Sequence, residues 1–199
     1  MSITKKLSRY DFSIIADWIP SQSKVLDLGC NDGELLNYLK AEKNITGFGV
    51  EKDELNWLRA LKNNIDVIQI DIESGLSDFE TNSFDVVILS KTIQSMQNTE
   101  MIINEMLRIG KQVIVTFPNF GYWKNRLQIL SGKMPISEEL PYAWSDTPNI
   151  HLCTIKDFDN FCKKYRFKIT DRKILTDKKS VGIFPNMFGA LALYKLVSK

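Results

Sequence analysis

The stretch VLDLGCNDGELLNYL, from Val25 to Leu39, sets the tightest limit on the fold. An apolar run carries an acid near its end, a glycine-bearing loop follows, and leucines resume at helical spacing. That order predicts a strand, a tight turn and a helix, the place where open α/β sheets hold nucleotides. Asn31 stands where such loops usually have their second glycine.

The same alternation continues along the chain. Strands are predicted at Lys24–Leu28, Thr46–Glu51, Asp66–Asp71, Phe84–Ser90 and Gln112–Phe117, with helices near Asp32–Lys40, Asp53–Asn63 and Thr99–Ile109. Ile102, Ile103, Met106 and Leu107 repeat on one helical face, and Gly110 suits a left-handed stop. Near-continuous apolar strands separated by helices imply a parallel sheet covered on both faces. The end differs. Thr154–Tyr165 reads as a capped helix, with Asp157 three residues after Thr154 and Phe158, Phe161, Cys162 and Tyr165 on one face. Two strand-like runs follow, Phe167–Leu175 and Gly189–Val197, joined by a polar loop with no helix between them, which predicts an antiparallel hairpin. A chain of 199 residues without repeats or a linker is read as one domain, 1–199. That length suffices to bury roughly 70% of the unfolded surface.

Composition excludes several functions. Hydrophobic residues make up 44% and charged residues 25%, and a net charge of +2 gives no argument for nucleic acid or an anionic membrane. The short clusters Lys5-Lys6, Lys163-Lys164 and Lys178-Lys179 read as solvated faces. Cys30, Cys153 and Cys162 form no CxxC pair, which argues against a disulfide framework or a metal site. The start, MSITKKLSRYDF, lacks the apolar core of a signal peptide, and no apolar run is long enough to span a bilayer. A cytoplasmic location is the expectation.

The 36 residues from Pro118 to Cys153 are too many for a plain connection. Tyr122–Leu130 looks helical, with Gly132 to end it. The remainder, residues 133–153, is irregular, with three prolines and two aromatics, and is read as a lid inserted beyond the carboxyl end of a strand.

The cofactor is read from acids. The first three strands are taken to end in Asp27, Glu51 and Asp71, and Asp32 adds a fourth carboxylate in the loop. Clustered carboxylates need a cation or hydrogen-bond donors among them. A dinucleotide wants bare N–H groups at G-x-G-x-x-G spacing, whereas Gly29-Cys30-Asn31-Asp32-Gly33 is G-x-N-x-G and flanked by acids. NAD is disfavoured. S-adenosylmethionine, with a sulfonium, an ammonium, a ribose diol and an adenine amine, fits better. Glu51 is placed to accept from both ribose hydroxyls and Asp71 from the adenine amine. The cofactor-binding set is Asp27, Gly29, Cys30, Asn31, Asp32, Gly33, Glu51, Asp71 and Ser90. Taken singly, Asp27 and Asp32 equally suit a turn or a helix cap, and Glu51 and Asp71 suit turn chemistry better than a ligand contact. Asn31 either supplies positive φ, which Asn tolerates, or crowds the methionine moiety.

Several strings make the sequence resemble the MetW family, a methionine-biosynthesis branch of the class I methyltransferase-like proteins. They are VLDLGCNDGELL, GFGVE, SFDVVILSKTIQSM, EMLRIGKQVIVTFPNFGYWKNR and, most specifically, MPISEELPYAWSDTPNIHLCTIKDF. The family's loop usually reads GCGDG, and Asn31 departs from it. The resemblance implies a Rossmann-like class I methyltransferase fold: a seven-stranded, mostly parallel sheet, an antiparallel last strand and helices on both faces. It implies binding of S-adenosylmethionine or S-adenosylhomocysteine and a role in methionine biosynthesis, in some members alongside homoserine O-acyltransferase. It supplies no methyl acceptor.

Methyl transfer relies on proximity and alignment, and needs a base only for a poor nucleophile. Ser90 and Gln94 follow the fourth strand, near where a methyl group would sit, and Asn119 follows the fifth. Tyr142, Trp144, Asp146 and His151 come from the long segment, His151 being the natural base candidate and Tyr142 the other catalytic one. His151 has a plainer reading as a backbone partner beside the helix cap. Tyr122, Trp123, Tyr142 and Trp144 either line an acceptor pocket or fill the core beneath the lid. Two functions stay open: a cofactor-binding subunit or regulator for an acyltransferase, and an active methyltransferase on an unidentified small molecule.

Overall fold

Strands apolar on both faces require a sheet covered on both sides, and the computed structural model, which describes residues 10–177 and 179–198, contains one. Lys5, Lys6 and Lys178, and most of the amino-terminal segment read above, lie outside the described residues. The strands are β1 (Lys24–Leu28), β2 (Thr46–Glu51), β3 (Val67–Gln69), β4 (Phe84–Ser90), β5 (Gly110–Pro118), β6 (Lys168–Thr176), β7 (Lys179–Ser180) and β8 (Leu191–Val197). They lie in the order β3-β2-β1-β4-β5-β8-β6-β7. The first five are parallel, and β8 runs antiparallel between β5 and β6. Chain order reverses at β1, which pairs with β2 on one side and β4 on the other. Such a switch point opens a crevice at the strand carboxyl ends.

The helices are α1 (Tyr10–Trp18), α2 (Glu34–Lys43), α3 (Glu54–Lys62), α4 (Ile72–Gly75), α5 (Thr99–Ile109), α6 (Trp123–Leu130), α7 (Ile155–Tyr165) and α8 (Pro185–Phe188). Alternate strand residues feed two cores. On one face Val25, Val86, Ile88 and Ile114 meet Ile15, Leu36, Leu39 and Ala60 from α1 to α3. On the other, Leu26, Val87, Leu89 and Val115 meet Ile102, Met106, Phe158 and Cys162 from α5 and α7. Each fully buried aliphatic side chain contributes about 1.5–3 kcal/mol. The predicted capping box is present at α7: Thr154 Oγ1 accepts from the Asp157 amide, and the Asp157 carboxylate accepts from the Thr154 amide, both at 3.2 Å. Among the described residues no helix is long and apolar enough to cross a membrane.

Several boundaries differ from expectation, each for a local reason. Among the described residues the sheet has eight strands rather than seven, because Lys179 and Ser180 turn back to pair with the end of β6. A short helix, α8, interrupts the loop before β8, with Pro185 at its start, where the missing N–H is harmless. β3 stops at Gln69, and Asp71 instead caps α4 by accepting from the Glu73 amide at 3.0 Å. α2 begins at Glu34 because Gly33, at φ 79°, is left-handed. Gly110 is extended (φ −120°), not left-handed, and opens β5. It lies so near Val87 that a Cβ would come within 2.5 Å of the Val87 side chain. The helix α1 had no counterpart in the sequence reading. Nine residues give little periodicity, though Phe12, Ile15 and Trp18 do face the core.

Candidate functional site

After β1 the loop folds back onto β2. The Gly29 and Cys30 amides both donate to the Val50 carbonyl, at 2.8 and 3.0 Å. Gly29 (φ 70°) approaches Thr92 so closely that a Cβ would lie 2.9 Å from its hydroxyl. Gly33 is held against Ile65, where a Cβ would lie 2.5 Å from a side-chain carbon. Between them Asn31 has φ 52°, within the left-handed region, with its side chain exposed. Replacing it with glycine should therefore change adenosylhomocysteine affinity less than threefold. Stability should move by less than about 0.5 kcal/mol, since relieved strain is offset by unfolded-state entropy. Titration calorimetry checks this; a tenfold gain in affinity would mean that the side chain crowds the ligand.

Glu51, at the end of β2, is buried behind the loop. Its Oε2 accepts from the Asn31 amide at 2.8 Å, and its Oε1 from the Lys52 and Asp53 amides, each at 2.9 Å. Charge-assisted bonds of this kind are among the stronger ones. The carboxylate thus fixes the start of the loop.

A crevice of about 560 Å³ opens above these strand ends. It brings together Asp27, Gly29, Cys30, Asn31, Asp32 and Ser90 of the expected set, with Gln94 and Tyr142. The other three expected residues are not on its walls: Gly33 ends the loop against Ile65, Glu51 lies behind the loop, bonded to the Asn31 amide, and Asp71 is bonded to Lys52 at 2.6 Å. The Lys52 ammonium and the Glu73 amide hold the Asp71 carboxyl below the usual range. Asp32 accepts from the Glu34 amide at 3.3 Å, near the start of α2. The Ser90 hydroxyl is 3.1 Å from that of Thr116. The Cys30 thiol is pushed up by burial first and then by the charges of Asp27 and Glu51, so it stays protonated.

The two catalytic candidates part company. Tyr142 lines the crevice, half exposed. His151 is exposed, and its ring nitrogen lies 3.4 Å from the Gln97 carbonyl, in the backbone-partner role rather than on the crevice wall. Trp144 and Asp146 face solvent. Tyr122 is buried along a second cleft of about 700 Å³. Asn119 lines neither opening and is wholly buried.

Lys91, Phe12, Thr92, Glu138 and Glu139 also line the crevice, and sequence reasoning missed them. Lys91 and Glu139 form an ion pair at 2.7 Å that ties the end of β4 to the 133–153 segment, with Asp11 3.9 Å from the same ammonium. This pair divides the crevice from the second cleft, since both residues line both. A lysine just after a strand and an acid pair in the irregular segment were visible, but nothing in the sequence says that they meet.

The sequence matches the family described as methionine biosynthesis protein MetW over residues 9–196. A curated relative from Rhodopirellula baltica, a bifunctional methionine biosynthesis protein MetXA/MetW, is 38% identical over 157 residues, 74% of this chain and 25% of the relative. The chain therefore spans about a quarter of that relative's length. Among solved structures, an S-adenosylmethionine-dependent methyltransferase from Mesorhizobium loti superposes with a TM-score of 0.69 at 14% identity, covering 94% of this chain and 97% of the other. Another from Archaeoglobus fulgidus gives 0.67 at 16% identity, covering 96% and 95%. Such identities speak for the fold alone, a class I methyltransferase-like one. With the family match running from before α1 into β8, through the irregular segment that walls the crevice, this chain belongs to the MetW family of methionine biosynthesis proteins.

Proposed function

We propose that the crevice binds S-adenosylmethionine or S-adenosylhomocysteine, and that the chain acts in methionine synthesis as a subunit or regulator of homoserine O-acyltransferase. The observation that carries the first half is the acid-lined crevice at the switch point. Asp27, Asp32, Glu138 and Glu139 border it, and the cation Lys91 is already paired with Glu139. That set of carboxylate acceptors suits a sulfonium and an ammonium and opposes a pyrophosphate. The left-handed Gly29 and Asn31 keep the loop tight against β2 and leave the crevice open above it. When bound, S-adenosylmethionine supplies a methyl group on a sulfonium. The residues of this chain orient it, and the 133–153 segment acts as a lid over it.

The second half rests on the Rhodopirellula baltica relative, in which MetXA and MetW are one protein. Exposed apolar side chains support a seat for such a partner. Leu130 is 82% exposed and Trp144 78%, with Leu127, Ile136 and Leu152 also more than half exposed. Exposed apolar residues on one helix and the adjoining segment favour a docking face. A second reading, methyl transfer to a small molecule, is favoured by the adjoining cleft of about 700 Å³, large enough for an acceptor.

Calorimetric titration with adenosylmethionine, adenosylhomocysteine and NAD tests the cofactor, and co-expression with the acyltransferase tests the partner. The two nucleosides should bind and NAD should not, and the acyltransferase should co-purify in fixed stoichiometry. Loss of that complex with Leu130→Glu or Trp144→Glu would support the docking face. Turnover on a metabolite panel without a complex would favour the second reading, and tight binding of NAD alone would sink the first.

A further inference from the structure

Gln94 lies in a short 3-10 helix, Ile93–Ser95, beyond the end of β4. It is 7% exposed and lines the crevice. Its Nε2 donates to the Lys91 carbonyl at 2.8 Å. A carbonyl only accepts, so this bond settles which end of the amide is nitrogen and turns Oε1 the other way. That Oε1 is buried and has no hydrogen-bond partner among the described residues. Buried acceptors are seldom left so without a reason. The main-chain carbonyl of the same residue accepts from the Ile150 and His151 amides, both at 2.9 Å, and so grips the 133–153 segment. The charged residues that line the crevice are acidic apart from Lys91, which is engaged by Glu139.

We propose that Gln94 is a specificity-determining residue of the crevice. Its Oε1 selects ligands that present an N–H or O–H beside the end of β4, an amine above all. Its main-chain carbonyl couples that contact to the 133–153 segment. The acids add long-range attraction for a cation, whereas the amide oxygen requires a hydrogen at one place, so the two filters act together. This rests on the reading that the crevice takes an adenosine-based ligand.

Sinefungin, which carries an amine where adenosylmethionine carries its methyl group, is the probe, and adenosylhomocysteine, which has no group there, is its partner. Wild type should bind sinefungin at least tenfold more tightly, and sinefungin should slow amide exchange at Ile150 and His151 more than adenosylhomocysteine does. In Gln94→Met the preference should fall below threefold, with sinefungin losing more affinity than adenosylhomocysteine. Gln94→Glu, which keeps an acceptor oxygen, should restore the preference. An unchanged preference in Gln94→Met, or equal exchange with both ligands in wild type, overturns the assignment of Gln94 alone. Absence of binding by either compound to wild type overturns the adenosine-based reading and this inference together.

Discussion

Asn119→Ala should lower the unfolding free energy by about 3–5 kcal/mol. The side chain is wholly buried just after β5, and all its hydrogen-bonding capacity toward the backbone is engaged. Its Nδ2 donates to the Asn186 and Gly189 carbonyls at 3.1 and 2.7 Å, and its Oδ1 accepts from the Gly121 and Ile155 amides at 3.0 and 3.3 Å. One amide thus joins the end of β5 to the starts of α6 and α7 and to the turn before β8. Alanine leaves two carbonyls and two amides unpaired, at about 1–3 kcal/mol each before relaxation and entering water reduce the total. Urea unfolding checks it, with the slope unchanged and the midpoint lowered. A loss below about 1 kcal/mol would mean that the four backbone groups find other partners. The sequence placed Asn119 among residues that follow a strand in the manner of a site residue. Its burial away from both clefts makes it the joint of the fold.

Glu51→Ala should weaken adenosylhomocysteine binding ten- to a hundredfold, or about 1.4–2.7 kcal/mol, and should also destabilise the fold. The carboxylate accepts from three backbone amides, those of Asn31, Lys52 and Asp53. A carboxylate has about four acceptor positions, so about one remains for a ribose hydroxyl. That is less than the contact to both hydroxyls anticipated from sequence. The loss of stability should be about 2–3 kcal/mol, below the sum of three charge-assisted bonds because water replaces part of them. Titration and unfolding on the same variant separate the two roles. Unchanged affinity in a folded variant would sink any ribose contact. A loss of affinity that Glu51→Gln recovers, with stability still reduced, would assign the carboxylate to the ligand as well as to the loop.

What the sequence by itself determined was much of what depends on neighbours in the chain. The period of Val25, Leu26 and Leu28 against Leu35, Leu36 and Leu39 marked a strand, a turn and a helix, because burial repeats with backbone geometry. The Thr154–Asp157 cap was legible for the same reason, its partners being three residues apart. The long string across 133–153 carried the family. Only the tertiary structure decided what each polar side chain meets. Asp71 goes to Lys52, nineteen positions away, Lys91 to Glu139, and Asn119 to Gly189 and Ile155. Position 110 is extended, and it is glycine because Val87, on the neighbouring strand, leaves no room for a Cβ there. A hydrogen bond acts over about 3 Å, and which groups come that close across the sheet depends on register and loop path. Hydrophobic periodicity specifies faces and leaves those pairings open, so the fold could be read along the chain while the roles of Glu51, Gln94 and Asn119 waited for their neighbours.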